Sequence, residues 1–344
     1  VWQSGRYNPD ILTGWNVEFF DVPYLVNRIR NILGDHEAKK LSPWGFLEER
    51  MVEIRGSESQ TFAPAGINIL DYLNLYKKFK FEQQESYKLD SIAEKELGEK
   101  KVDYQSMGYK SLDDLYKRNY ELFIDYNIHD VTLIDMLEER LKFIEQVVAF
   151  AYDAKVNYMD TLASVRPWEV IIHNYLMEHN VVVPRKRNSN VTELVGGYVK
   201  DIQPGMHRWV VSFDLNSLYP HLIMQYNISP ETFVTRWDEM PSVDNILDGV
   251  EYKFHLRNHD YAYAANGCVY RKDKQGFLPA LMEKMYNDRV EYKKKMIEAK
   301  KSYEKTKSRE DEMLIARYHN MQMAKKIQLN SAYGALGNRY FRWF

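Results

Sequence analysis

Residues 210–220 read VVSFDLNSLYP, and they constrain the fold of this chain more than any other segment. The apolar run predicts a buried strand over residues 207–213, with the carboxylate of Asp214 at its tip. A turn follows, and a helix is predicted to begin near Ser217. An acid beside the free amides of a helix start can hold a metal ion next to a polyphosphate. The simpler interpretation is that Asp214 only caps that helix.

Length and charge narrow the class of protein. The chain has 344 residues, 45% of them hydrophobic, which predicts two to three domains with substantial cores. The formal net charge of −2 produces no global attraction to nucleic acid, so any site for a polyanion must arise from local clustering. The single cysteine, Cys268, excludes an internal disulfide and fits a reducing compartment. No apolar run approaches the roughly 18 residues that a membrane span needs.

The hydrophobic pattern predicts a mixture of strands and helices, and hence an α/β or α+β multidomain fold. A β-hairpin is predicted within residues 46–73, with its turn around Gly56. A short apolar segment leading into a helix is predicted within residues 10–33, and a strand followed by a helix is predicted within residues 67–79. Further helices are predicted over residues 132–152, 168–177, 278–305 and 311–331, the last two forming a helical hairpin, and a polar linker is predicted over residues 184–188.

Two pairs of polar side chains lie four residues apart on this hairpin. Arg289 and Lys293 share one face of its first helix, and Lys326 and Asn330 share one face of its second. If the two faces meet, they bring two or three positive charges and an amide over a triphosphate. The alternative is that the lysines belong to a solvated helix face, because residues 289–307 are rich in lysine and glutamate.

Two motifs carry a resemblance to a known family. Residues 214–220 match the pattern D-x-x-S-L-Y-P at every fixed position, and residues 326–334 (KIQLNSAYG) match K-x-x-x-N-S-x-Y-G. In this order they resemble the first and second polymerase motifs of the family B DNA polymerases. The surrounding sequence is similar to that of the T-even-like bacteriophage members of this family. The resemblance runs along almost the whole chain and is weakest over residues 182–201 and 235–274.

The resemblance implies template-directed addition of dNMP to a primer 3′-end, with primer-template DNA and dNTP as ligands and a sliding clamp as partner of the full enzyme. It also implies two Mg²⁺ ions per active site, with Mn²⁺ as an alternative. Tyr219 would exclude the 2′-hydroxyl of a ribonucleotide, and Tyr333 and Gly334 would pack against the nascent base pair. The implied metal-binding positions are Asp214, as the catalytic carboxylate, and Leu215. The implied nucleotide-binding positions are Leu215, Ser217, Leu218, Tyr219, Arg289, Lys293, Lys326 and Asn330.

A second pair of motifs resembles the 3′→5′ proofreading exonuclease of the same family. Residues 16–21 (NVEFFD) and 126–130 (YNIHD) match its second and third motifs. The resemblance implies that Asp21 and Asp130 are catalytic metal ligands and that Tyr126 orients the attacking water. Because Y-x-x-x-D occurs by chance in many helices, the assignment depends on the order and separation of both motifs. The acids Asp35 and Glu37 lie on the wrong side of Asp21 and are interpreted as unrelated.

The resemblance further implies a domain plan. It comprises part of an RNase-H-like exonuclease over residues 1–145, a helical linker over 146–188, the first half of a palm with split-βαβ character over 189–277, helical-hairpin fingers over 278–338, and the start of a return to the palm over 339–344. The first exonuclease motif, the third polymerase motif and the thumb are not found, so we expect a partial chain that is inactive alone.

Three alternatives stay open at this point. The chain is one half of a split polymerase that needs a second polypeptide, a stand-alone nuclease, or a non-catalytic nucleic-acid-binding remnant. A preserved set of dNTP-binding residues counts against the nuclease, and the net charge of −2 counts against the remnant. The expected location is the cytoplasm, that of the host if a phage encodes the chain, with no membrane partner.

Overall fold

The computed structural model describes residues 8–54, 56–80, 82–186, 199–236, 260–264 and 266–343. The chain divides into two compact units. The first comprises Val1–Val148 with Asn157–Leu162, and the second comprises Ala149–Val156 with Ala163–Phe344.

The first unit begins with strand–helix segments and a β-hairpin. The pattern predicted the hairpin, the helix within residues 10–33 and the strand and helix within residues 67–79, but not β1. Its first elements are β1 (Ile11–Gly14), α1 (Asp21–Leu33), α2 (Asp35–Lys39), β2 (Leu47–Ile54), β3 (Ser57–Pro64), β4 (Asn68–Asp71) and α3 (Tyr72–Phe79). Strands β1 and β4 pair in parallel with Ile11 opposite Asn68, and β2 and β3 pair antiparallel with Leu47 opposite Pro64. The predicted turn at Gly56 is present with a φ of 80°, which glycine adopts without strain.

Apolar side chains from these elements form one core. Val26 of α1 is fully buried, and Phe62 of β3 and Ile69 of β4 lie in the same cluster. Alternation along β2 and β3 turns one face of the hairpin toward this cluster. The core therefore holds β1, β4 and the start of α1 together, and the exonuclease-like motif at residues 16–21 connects β1 to α1.

The remaining helices of the first unit are α4 (Leu89–Leu97), α5 (Leu112–Arg118) and α6 (Tyr120–Leu141), with a 3₁₀ turn at Tyr158–Leu162. Helix α7 (Phe143–Ala154) begins in the first unit and belongs to the second from Ala149 onward. The prediction of one helix over residues 132–152 was wrong. Lys142 adopts a left-handed φ of 58° between α6 and α7 and breaks the helix. The Glu138 carboxylate accepts hydrogen bonds from the Ile144 amide at 3.1 Å and the Glu145 amide at 3.3 Å, so it caps the new helix start.

The second unit carries the predicted helical hairpin. Its elements are α8 (Val165–Glu178), α9 (Leu218–Gln225), β5 (Phe233–Arg236), β6 (Tyr261–Tyr263), β7 (Cys268–Arg271), α10 (Phe277–Thr306) and α11 (Arg309–Leu336). The three strands form an antiparallel sheet in the order β5-β7-β6. Lys307 turns the chain with a φ of 51°, and the Ser308 hydroxyl accepts from the Asp311 amide at 3.1 Å to start α11.

The predicted buried strand over residues 207–213 was wrong. Trp209, Val210 and Phe213 are 97%, 75% and 90% exposed, and no described strand pairs with this segment. Trp209 also has a left-handed φ of 59°, which interrupts an extended run. An apolar run becomes a strand only where a neighbour pairs with its backbone groups. The predicted linker is described only as far as Lys186, and Arg187 and Asn188 lie outside the described residues.

Among the described residues, no helix combines the length and the apolar character that a membrane crossing requires.

Candidate active sites

The D-x-x-S-L-Y-P motif forms the entry to α9. Asp214 and Leu215 lie on the exposed segment that precedes this helix, and Leu215 is 68% exposed. Ser217 is the N-cap residue with a left-handed φ of 52°, but its side chain makes no capping hydrogen bond. Leu218 and Tyr219 open the helix. The amide-rich start of α9 thus lies beside Asp214 without the usual hydroxyl cap, an arrangement that suits an anionic ligand.

Arg289 brings a positive charge to this helix start. Its Nη1 atom lies 3.4 Å from Ser217 Oγ, in position to donate a long hydrogen bond. Its Nε atom is buried and has no hydrogen-bond partner among the described residues. A buried guanidinium donor without a partner is costly, and the planar fork of arginine matches a phosphate. Lys293, one turn further along α10, is exposed.

The K-x-x-x-N-S-x-Y-G motif lies within α11. Lys326 is partly buried, and Asn330, one turn further on, is exposed. Tyr333 stacks on Tyr219 of the first motif, with ring centroids 4.3 Å apart and planes 10° from parallel. The fold therefore joins the two polymerase-like motifs through direct ring contact, which the sequence did not predict. Beside Tyr333, a Cβ atom added to Gly334 would meet nothing within 4 Å.

A buried ion-pair cluster supports the two long helices. Lys325 Nζ lies 2.9 Å from Asp153 Oδ1 of α7 and 3.2 Å from Asp288 Oδ2 of α10. Burial alone would lower the pKa of Lys325, but the two carboxylates outweigh it and raise that pKa. Trp168 Nε1 of α8 donates to the Gln328 carbonyl at 3.2 Å. The sequence analysis missed this cluster, because its members lie far apart in the chain.

The exonuclease-like motif at residues 16–21 is held by Asp71, which the sequence analysis did not single out. Asp71 Oδ1 accepts from the Asn16 amide at 3.0 Å, and its Oδ2 accepts from the Glu18 amide at 3.1 Å. Asn16 has a left-handed φ of 65°, so these bonds stabilise an unusual turn. Asp21 follows as the first residue of α1. Burial raises the pKa of both Asp21 and Asp71, and the charge of Asp71 adds to the shift of Asp21.

Tyr126 and Asp130 lie one turn apart on α6, as their spacing predicted. Lys101 contacts both: its Nζ atom lies 2.6 Å from Asp130 Oδ2 and 3.4 Å from Tyr126 Oη. The other carboxylate oxygen, Asp130 Oδ1, is buried and accepts no hydrogen bond among the described residues. Such an oxygen fits a cation or a water molecule. No local signal marked Lys101, because it is one lysine of a charged loop.

The described residues include individual candidates for metal ligands but no assembled metal centre. Within the ranges the structure describes, no three His, Cys, Asp or Glu side chains lie close enough together to hold a metal ion. Asp214, Asp21 and Asp130 therefore remain separate candidates. Asp35 pairs with Arg30 and Lys39 on the surface, and the interpretation of Asp35 and Glu37 as unrelated stays a prediction.

Comparisons with known proteins agree with these motifs. The family described as DNA polymerase family B matches residues 159–343, and its exonuclease domain matches residues 4–92. The chain is 34% identical to the DNA-directed DNA polymerase of Escherichia phage RB69 and 30% identical to that of Enterobacteria phage T4. All of this chain is covered in both cases, against 41% and 42% of those relatives. A DNA polymerase of Pyrococcus glycovorans is 27% identical, with 98% of this chain and 39% of the relative covered.

The chain thus spans about two fifths of the length of these relatives. The family match over residues 159–343 covers more than half of the chain, and it includes both polymerase-like motifs that meet at the start of α9. The chain belongs to the DNA polymerase family B.

Proposed function

We propose that this chain supplies the nucleotide-binding part of a replicative DNA-directed DNA polymerase, together with part of its 3′→5′ proofreading exonuclease. The observation that carries the proposal is the meeting of three elements at the start of α9. Tyr219 of α9 stacks on Tyr333 of α11, and Arg289 of α10 reaches Ser217. Residues from three separate segments converge on one polar, amide-rich point, which is what binding of one charged ligand requires.

The charges at this point favour a triphosphate. The start of α9 carries the positive end of the helix dipole, and Arg289 adds a guanidinium with a buried, unpartnered Nε. Lys293 and Lys326 stand on the helices that flank it. Because the chain as a whole carries a net charge of −2, this positive cluster is a local feature. We infer that Leu215, Ser217 and Leu218 offer backbone amides to the phosphates and that Asn330 contacts the same ligand.

The stacked rings of Tyr219 and Tyr333 bear on whether the site accepts a ribonucleotide or a deoxyribonucleotide. Tyr219 is held flat against Tyr333, so its ring cannot rotate freely to make room for a 2′-hydroxyl. We infer that this pair selects deoxyribonucleotides and that Gly334 leaves space for a base pair, since nothing lies within 4 Å of its added Cβ. The proposed ligands are therefore a dNTP and primer-template DNA.

The same proposal includes more detailed assignments of domains, metal ligands and a protein partner. They are an RNase-H-like fold for the exonuclease part, a palm with split-βαβ character around α9, and fingers formed by α10 and α11. We also propose Mg²⁺ as the metal, with Asp214 and the backbone of Leu215 as ligands for synthesis and Asp21 and Asp130 as ligands for proofreading. The unsatisfied Asp130 Oδ1 supports the last of these. A sliding clamp is proposed as the partner of the complete enzyme.

The test is binding of a fluorescent dATP analogue to the purified chain with Mg²⁺, followed by anisotropy. Arg289→Ala and Lys326→Ala are expected to weaken binding at least tenfold, because each removes a charge-assisted bond to the phosphates. Lys293→Ala is expected to weaken it less, because Lys293 is exposed. Lys294→Ala is the matched control, since this exposed neighbour lies on a different face of α10 and should leave the affinity unchanged.

Equal affinities in all four variants, or no dNTP binding by the parent chain, would contradict the proposal. Salt-dependent binding of duplex DNA without any effect of dNTP would instead favour a non-catalytic nucleic-acid-binding protein.

A further inference from the structure

The α10–α11 hairpin keeps one register along its length. Three cross-helix contacts define it, and each lies seven residues further along α10 and seven residues earlier along α11 than the last. They are Asp288 with Lys325 at 3.2 Å, Lys295 with the Tyr318 ring at 6.0 Å, and Ser302 with Asp311 at 2.9 Å. A seven-residue spacing is the period at which two helices keep the same faces in contact.

Apolar packing between these contacts specifies the register weakly. Ala299 on α10 and Gln322 on α11 are buried between these contacts, a small residue and a polar one. Large apolar knobs, which would penalise a slip, are absent at these two positions. A slip by one turn moves a helix by about 5 Å along its partner. Apolar contact is non-directional, so polar contacts must supply the discrimination between registers.

Of the three contacts, the one between Asp288 and Lys325 adds most to the free-energy cost of a change of register. The Lys325 side chain is 9% exposed, whereas that of Lys295 is 43% exposed. Asp153 of α7 accepts from Lys325 at 2.9 Å and from Gln328 Nε2 at 2.7 Å, so it holds two consecutive turns of α11. A change of register that left Lys325 without a carboxylate would bury an uncompensated charge. The same change at Lys295 would cost less, because water can reach that exposed side chain and replace its partner.

We propose that Lys325 is a positioning residue whose buried ion pairs with Asp288 and Asp153 lock the register of the α10–α11 hairpin. Asp288 directly precedes Arg289, and Lys325 directly precedes Lys326. The lock therefore holds Arg289 and Lys326 at one level, where both can reach a single triphosphate. This last step rests on the proposed function, but the lock itself does not.

The register can be measured by the distance between two spin labels, using double electron–electron resonance. Labels at Lys284→Cys on α10 and Met313→Cys on α11 occupy exposed positions, in a Cys268→Ser background. Lys284 lies opposite residue 329 in this register, so the two labels are separated along the axis by about 24 Å. A one-turn slip would change this separation by about 5 Å.

Lys325→Met is expected to broaden the distance distribution or to add a population shifted by about 5 Å, while helicity by circular dichroism stays at the parent value. Lys295→Met is the matched control and should leave the distribution unchanged. If Lys325→Met does not fold, Asp288→Asn takes its place, because Asp153 remains as the partner of the lysine. Parent-like distributions in the variants that fold would overturn the proposal.

Affinity for the dATP analogue gives a second readout. Lys325→Met is expected to weaken binding about tenfold at a temperature where it is fully folded, and Lys325→Arg to recover part of the loss because it keeps the cation. An unchanged affinity beside a shifted register would overturn the positioning role. If the parent chain binds no dNTP, the proposed function fails, and the spin-label distances still decide whether Lys325 locks the register.

Discussion

Single carboxylates and rings organise both candidate sites. Asp71 shows this most directly, since one buried side chain accepts the amides of Asn16 and Glu18 and also caps α3 through the Leu73 amide at 3.0 Å. The exonuclease-like turn is thus tied to β4 across more than fifty residues of sequence. Removal of one oxygen acceptor from such a residue leaves a buried N–H without a partner.

We expect Asp71→Asn to lower the free energy of unfolding by about 1–3 kcal/mol, because the amide group can accept on one side only and meets an N–H donor on the other. Urea denaturation followed by fluorescence measures the change. Asp35→Asn is the control: Asp35 is an exposed ion-pair partner, and the free energy of unfolding should stay close to that of the parent. A loss in Asp71→Asn no larger than in the control would show that this carboxylate does not hold the turn.

The Tyr219–Tyr333 stack yields a prediction at the same scale. A double-mutant cycle with Tyr219→Ala and Tyr333→Ala is expected to give a coupling free energy of about 0.5–1.5 kcal/mol, as for other aromatic pairs. The measurement is chemical denaturation of the parent, both single variants and the double variant. Strict additivity would mean that the rings touch without stabilising each other.

At the scale of the helix, two glycines of the second unit differ in what surrounds them. A Cβ atom at Gly276, the N-cap of α10, would lie 2.5 Å from Ser229 Cβ, so packing requires a glycine there. At Gly334, inside α11, nothing lies within 4 Å. Glycine in a helix interior weakens the helix. Packing of the described residues therefore does not account for Gly334, whereas the proposed contact with a base pair would.

We expect Gly334→Ala to raise the free energy of unfolding by about 0.5–1 kcal/mol, because alanine is the better helix former. The same change should weaken binding of primer-template DNA in the presence of dNTP, since the methyl group fills the proposed place of the base pair. Thermal denaturation and DNA-binding anisotropy measure the two effects. Gly276→Ala serves as the contrast and should destabilise the chain. Gain of stability together with unchanged DNA binding would exclude contact between Gly334 and DNA.

At the scale of the whole molecule, the net charge matters less for ligand binding and stability than the places where individual charges are buried. The net charge of −2 would not attract DNA, yet Arg289 reaches the start of α9, and Lys293 and Lys326 lie on α10 and α11. Lys325 is the buried member of this basic region, and two carboxylates raise its pKa. Its contribution to global stability must then depend on pH, because folding and proton binding are linked.

The folded-state pKa of Lys325 lies above its ordinary value of 10.5, so its stabilising contribution is complete below pH 10.5 and is lost as the pH rises through the folded-state pKa. We expect Lys325→Met to be less stable than the parent by about 3 kcal/mol between pH 7 and 9, the cost of breaking a buried pair. Above about pH 10.5 this difference should shrink. Urea denaturation of both proteins from pH 7 to 11.5 measures it. A difference that grows above pH 10.5 would contradict the assignment.

Local sequence determined much of this protein. Helical spacing predicted α8, α10 and α11, and alternation around Gly56 predicted the β2–β3 hairpin. The motifs identified the family through residues that lie within a few positions of one another. These features depend on contacts between near neighbours in the chain, whose geometry follows from the backbone period alone.

Tertiary structure alone decided which residues meet. Tyr219 against Tyr333, Lys101 against Asp130, and Lys325 against Asp153 are pairs whose partners lie far apart in sequence, and no local period encodes them. The strand predicted over residues 207–213 was wrong for the same reason. Its apolar pattern is compatible with a strand, but a strand exists only where a second backbone completes its hydrogen bonds, and that depends on how distant segments pack.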